Sequence, residues 1–252
     1  MIPYIGITGF MSATEVSKAL QLFVLGGKRS LMVGVLASHK SLRNIPMKPI
    51  RARQTPNPAD LPQIFPEDGR TINLVHYGAH RGQEESLLED MFKIHQLAGR
   101  NLHGLQLNAV WPPTWMLIEY RKSVGASPDI VLQVGAEAMA QCENNPKIIA
   151  DKLQNYLGLI NYILIDASGG LGKPLDTEKS RNILSEITSR SWKLGLGVAG
   201  GLGPDTLDLI APLVQEFPNL NIDAQGKLRD EANNLNIDAC EKYLTEALKL
   251  FG

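Results

Sequence analysis

The sequence predicts a (β/α)8 TIM barrel, an α/β fold in one domain over residues 1–252. Three observations lead there. Short apolar runs alternate with longer amphipathic ones along the whole chain, giving eight strand–helix units. The short runs are rich in Ile, Leu and Val with little alternation, as in parallel strands buried on both faces. The length of 252 residues is close to that of a typical barrel of this kind. A doubly wound sheet is the competing architecture. No linker, low-complexity segment or domain boundary interrupts the pattern.

In order, the expected strands are Tyr4–Thr8, Leu31–Leu36, Thr71–His76, Gly104–Leu107, Ile130–Val134, Tyr162–Asp166, Leu194–Ala199 and Leu220–Ala224. Helices fall between them. The stretch SATEVSKALQLFVLGG opens on a capping Ser12 or Thr14 and stops at Gly26. QEESLLEDMFKIHQLAG places acids in its first turns and glycine at its end. GPDTLDLIAPLVQEF puts Pro204 in a first helical turn, and NIDACEKYLTEALKLFG forms the final helix.

Composition narrows the function. The chain is 44% hydrophobic with a formal net charge of -1, which supplies a core and argues against a nucleic-acid or membrane-surface binder. No apolar run reaches membrane-spanning length and MIPYIGITGF has no basic segment ahead of its apolar one, so a cytoplasmic protein is expected. Cys142 and Cys240 lie in helical segments away from strand ends and are expected to be buried small side chains. No metal is expected: His76 and His80 are four residues apart, but HYGAH carries a glycine where a helix would be needed to align them.

In such a barrel, chemistry sits at the C-terminal ends of the strands. After the second strand comes a long proline-rich connection, residues 38–66. Between Ser38 and Ala59 it holds five basic residues (Lys40, Arg43, Lys48, Arg51, Arg53) and no acid. This concentration of positive charge on the active face favours an anionic ligand. Two glycine-rich stretches, SGGLGK and AGGLGPDT, follow the sixth and seventh strands. Glycines let several backbone N–H groups approach one phosphate, and a helix start near Pro204 would add partial positive charge. Neither stretch has the spacing of a dinucleotide or ATP fingerprint.

Taken in order, YIGITGF…TEV, SHKSLRNI, LQLN, ILIDASGGLGK, VAGGLGPDT and NIDAQG resemble the phosphoribosylanthranilate isomerase family, (β/α)8 barrels of tryptophan biosynthesis. The resemblance spans almost the whole chain in short patches. It implies an Amadori rearrangement, in which an aminoaldose phosphate becomes an aminoketose phosphate. An acid protonates the ribose ring oxygen and a base takes the proton from C2. It also implies Asp166 as the acid, Arg43 of KSLR as the carboxylate anchor and Gln106 as a substrate contact. The phosphate loops fall on Gly169, Gly170, Gly172 and Lys173, and on Gly200 and Gly201.

Three departures accompany the likeness. The family's first-strand cysteine, its general base, falls on Ile5, which cannot accept a proton. The eighth-strand serine pair is missing from DAQGKLRD, and the fourth-strand Q-L-H-G has become QLNA. Replacement bases at strand ends are His76, His39 and Glu137, with His76 best matched to neutral pH. Trp111 and Trp115 of WPPTW offer a wall for an aromatic ring or ordinary packing.

The expectation is therefore an isomerase acting on a small phosphorylated molecule, without cofactor, nucleic acid or membrane partner, and with a homo-oligomer left open. Two alternatives stand beside it. One is a related barrel with different sugar-phosphate chemistry, using Lys173; the other is an anion-binding barrel without catalysis.

Overall fold

In the computed structural model, which describes residues 2–79, 84–125, 128–168 and 174–252, eight parallel strands close into a barrel in chain order. They are β1 Tyr4–Thr8, β2 Ser30–Ser38, β3 Thr71–Gly78, β4 Gly104–Asn108, β5 Asp129–Gly135, β6 Tyr162–Asp166, β7 Gly195–Ala199 and β8 Asn221–Ala224. Helices alternate with them on the outside, so the (β/α)8 architecture expected from the sequence is the one observed.

Alternation along each strand sorts side chains into two compartments. Ile5, Ile7, Val33, Val75, Leu105 and Ile163 point outward into the large cluster shared with the helices. Tyr4, Met32, Leu74, Val131, Tyr162 and Leu164 fill the barrel interior. Gly104 faces inward where a Cβ would lie 1.9 Å from the Asp129 carbonyl oxygen, so only glycine lets β4 approach β5 this closely.

The outer helices follow their sequence signals. The first, Ala13–Leu20, starts at Ser12, whose hydroxyl accepts from the Glu15 N–H while Glu15 returns a bond to the Ser12 N–H. It ends earlier than expected, with Gly26 in a later turn. Helix Leu87–Ala98 ends at Gly99 as read. Helix Ile237–Phe251 buries Cys240, Tyr243, Leu244 and Ala247, one helical stripe, against the barrel.

After β7 the chain departs from expectation. Residues 204–206 form a turn, and regular helix begins only with the 3-10 segment Leu207–Ile210 and Ala211–Glu216. The Thr206 hydroxyl is the cause. It accepts from the Gly203 N–H at 2.9 Å and lies 2.9 Å from the Gly201 carbonyl, closing a local turn instead of a helical one.

The connection 38–66 contains short helices at His39–Leu42, Pro49–Ala52 and Leu61–Ile64. It reaches over the end of β1 to the loop after β8. Arg53 donates to the Ala232 carbonyl (2.7 Å), Asn233 donates to the Ile50 carbonyl (2.6 Å), and Gln225 donates to Gln54 (3.3 Å). Among the described residues, no helix is long and apolar enough to cross a membrane.

Candidate functional site

Above the apolar interior layers, the inward positions nearest the C-terminal mouth turn polar on six strands. Thr8, His76, Gln106, Gln133, Asp166 and Asp223 come from β1, β3, β4, β5, β6 and β8, and all are buried. Each has the inward parity of the barrel-filling residues below it, so the backbone aims them at one volume.

They form two linked carboxylate centres. Asp166 Oδ1 accepts from the Ser168 N–H (3.1 Å) and hydroxyl (2.6 Å), and its Oδ2 accepts from Gln133 Nε2 (2.8 Å). Asp223 accepts from the Thr8 hydroxyl, which is 2.9 Å from Oδ1 and 2.9 Å from Oδ2, and from Gln106 Nε2 (3.0 Å). Gln106 joins the centres to the imidazole: its Nε2 is also 3.0 Å from His76 Nδ1 and 3.4 Å from Gln133 Oε1. The Gln106 Oε1 is buried and has no donor among the described residues.

Burial sets the protonation of two of these groups. It pushes the Asp223 carboxyl up to about 6, with the nearby Asp166 charge adding to the shift and the bonds from Gln106 and Thr8 opposing it. It lowers His76 to about 4, so the imidazole is neutral above that pH.

These shifts have opposite consequences for stability. A carboxyl raised on folding contributes stability below its unfolded value near 4, and loses it as pH climbs through about 6. A histidine lowered on folding contributes stability above about 6.5, and loses it as pH falls through about 4. Asp223→Asn is therefore expected to match the parent chain at pH 4 and to gain up to about 3 kcal/mol by pH 8. Urea unfolding of both proteins across that range measures it. A difference that stays flat with pH would show that Asp223 does not titrate in this window.

The other sequence-predicted residues fall as follows. Ile5 points outward into the helix layer, so besides lacking a proton acceptor it does not face the mouth; the inward neighbour is Gly6. Gly200 (φ 111°) and Gly201 (φ 62°) take left-handed conformations. A Cβ on Gly200 would stand 2.9 Å from Asp166 Oδ1 and 2.9 Å from Ser168 Cβ, so the β7 loop lies directly on the Asp166 carboxylate. Gly169, Gly170, Gly172 and Lys173 lie outside the described residues, as does His80.

Arg43 is held by acids of helix Leu87–Ala98. Its Nη1 donates to buried Asp90 in a short bond and its Nη2 to exposed Glu89 at 3.1 Å. Asp90 also accepts from the Tyr77 hydroxyl and faces His39 Nδ1 at 3.3 Å. His39 lies 3.0 Å from the Ser86 hydroxyl as well, and so sits in this cluster rather than in the mouth. Glu137 is exposed just beyond β5. Trp111 donates from Nε1 to the Ala138 carbonyl (2.9 Å) with its ring against Tyr156, and Trp115 is 57% exposed. Both cysteines are free and buried, as expected.

Sequence reading passed over Asp223, Gln133 and Thr8 as functional residues. A signal is present: IDA, VLQV and GIT each set one polar residue in an apolar stretch near a strand end, as ILID and LVHY do. In a strand buried on both faces, that pattern marks the inward position at the mouth.

No protein-family model matches the chain, and no curated protein sequence matches it either. Solved structures do. The phosphoribosylanthranilate isomerase of Thermus thermophilus superposes with a TM-score of 0.64 at 13% identity, covering 98% of this chain and 99% of that one. The Thermotoga maritima isomerase gives 0.62 at 15%, covering 99% and 100%. The tryptophan synthase alpha subunit of Legionella pneumophila gives 0.59 at 14%, covering 99% and 91%. CutC and aldolase barrels superpose as well. At these identities the likeness establishes a (β/α)8 barrel similar to phosphoribosylanthranilate isomerase, and nothing finer.

Proposed function

We propose that the chain is an enzyme that rearranges a small phosphorylated, hydroxyl-bearing molecule by proton transfer at the barrel mouth. The finer reading is an aldose–ketose isomerisation of the phosphoribosylanthranilate type. The observation that carries it is the pair of buried carboxyls, Asp223 bonded to Gln106 and Asp166 to Gln133, with Gln106 joining them to a neutral His76. An isomerisation through an enol-like intermediate needs one group to give a proton and another to take one.

The β7 glycines Gly200 and Gly201, packed beside Asp166, are read as a backbone cradle for the substrate's phosphate. Exposed Lys40, Lys48, Arg51 and Arg53, all on the connection after β2, attract an anion. A carboxylate on the substrate would reach Arg43 only in competition with Asp90 and Glu89.

The test is turnover of phosphoribosylanthranilate, generated enzymatically and followed by loss of its anthranilate fluorescence. Turnover is expected. The absence of both turnover and binding of the product analogue, reduced 1-(o-carboxyphenylamino)-1-deoxyribulose 5-phosphate, would overturn the reading. Binding without turnover would favour an anion-binding barrel, the reading that Ile5, turned into the helix layer, supports on its own.

A further inference from the structure

We infer that His76 holds its hydrogen on Nε2 and presents that N–H to a substrate oxygen as a hydrogen-bond donor, so that it does not replace the base missing at Ile5. The inference rests on the function proposed above and assigns one more residue of the same site.

Hydrogen-bond roles fix the hydrogen. The network runs through two amides with a carboxylate at each end. Gln133 Nε2 donates to Asp166 Oδ2 (2.8 Å), which turns Gln133 Oε1 toward Gln106 Nε2 at 3.4 Å. Gln106 Nε2 also stands 3.0 Å from Asp223 Oδ2 and 3.0 Å from His76 Nδ1. Turning the Gln106 amide over would set its oxygen against the Asp223 carboxylate and against Gln133 Oε1, neither of which has a hydrogen to give. The amide nitrogen therefore faces all three acceptors. It carries two hydrogens, and its two nearest partners are Asp223 Oδ2 and His76 Nδ1. Gln106 Oε1 is the group this polarity leaves over, buried and without a donor among the described residues.

A hydrogen on His76 Nδ1 would meet the Gln106 N–H at 3.0 Å, donor against donor. An uncharged imidazole has one N–H, which then lies on Nε2. Burial, which keeps the ring uncharged above a pH of about 4, agrees with this. Nε2 bonds to no described residue, and unlike Gln106 Oε1 it is not sealed inside the network. The ring itself is 8% exposed, at the mouth end of β3.

A base at this place would need the opposite tautomer. A ring whose free nitrogen already holds a hydrogen cannot take the proton from C2. It can bond to the C2 oxygen, which begins as a hydroxyl, passes through an enol and ends as a ketone. That oxygen gains negative charge as the enol gives up its proton. A fixed N–H facing it stabilises the charge, and no proton leaves the ring. Gln106, between Asp223 and His76, is the positioning residue that sets the tautomer.

Nitrogen NMR of the full chain, labelled with 15N in histidine, reads the tautomer without substrate. At about pH 8, where Asp223 is ionised, His76 Nδ1 should resonate as an unprotonated nitrogen and Nε2 as a protonated one. The His76→Gln spectrum identifies the His76 signals among those of the five histidines. Gln106→Leu should let the two tautomers mix. Saturation with the reduced product analogue should move Nε2 more than Nδ1. With phosphoribosylanthranilate, His76→Leu should lower kcat by about 10²–10³-fold, the usual loss for one such donor, and change affinity for the analogue by less than about threefold. His76→Gln, whose amide supplies an N–H in place of Nε2, should recover about tenfold or more of that loss.

A protonated Nδ1 in the parent chain would overturn the inference even with normal turnover. So would parental kcat in His76→Leu, or an Nε2 signal that stays still at saturation. A parent chain that binds the analogue without turnover would overturn the proposed function alone, because the Nε2 shift would still decide whether His76 donates to a ligand. A chain that neither turns over nor binds would overturn both.

Discussion

Asp166→Asn is expected to lower kcat for phosphoribosylanthranilate by about 10²–10⁴-fold, the usual worth of one proton-transferring side chain. The change keeps shape and removes one function. An asparagine oxygen can still accept from the Ser168 N–H and hydroxyl, and the Gln133 amide can turn to present its oxygen to the new nitrogen. The thermal midpoint should therefore move by no more than a few degrees, and Gly200 should keep its seat on the side chain. Steady-state kinetics and calorimetric binding of the reduced product analogue separate the two effects. Loss of turnover with binding retained marks Asp166 as acting on the reacting atoms. Parental kcat in this variant would remove it from the chemistry.

The largest expected change in stability lies away from the mouth. Asp90 is fully buried and gathers Arg43, Tyr77, His39 and Ser86 around one carboxylate. Asp90→Ala leaves the Tyr77 hydroxyl without its acceptor and Arg43 with only the exposed Glu89. Stripping one partner from a buried ion pair costs about 3–5 kcal/mol. Because Arg43 retains some solvent contact, about 2–4 kcal/mol is expected, or roughly 5–15 °C in Tm for a chain of this size. Adding Arg43→Ala should recover part of the loss, since the orphaned charge is then gone. A loss below about 0.5 kcal/mol in urea unfolding would show that the cluster contributes no net stability.

The fold was legible because periodicity is a local property. Tyr4–Thr8 and Tyr162–Asp166 match the observed strands at both ends. β2 runs two residues beyond the apolar stretch because Ala37 and Ser38 pair with Tyr77 and Gly78, which apolarity alone does not report. The start of the helix after β7 was misread because a Thr206 side chain competes with the helical bond pattern. At the mouth, Asp166, His76 and Gln106 could be placed at strand ends from sequence. Their joining through Asp223 could not, since Gln106 and Asp223 are 117 residues apart. The acids holding Arg43 were hidden for the same reason: Asp90 lies 47 residues away on another element.

The four residues of β8 bear on how the chain survives its own synthesis. β8 pairs with β1 through Ile5–Ile222, Gly6–Asp223 and Ile7–Ala224, and with β7 through Gly197–Asn221, Val198–Ile222 and Ala199–Asp223. While the ribosome has yet to deliver residues 221–224, β1 and β7 are raw sheet edges, open to pairing with another nascent chain. Sealing the seam removes both edges in one event. The strand that does so carries Asp223, so no half-closed sheet holds a complete proton pair.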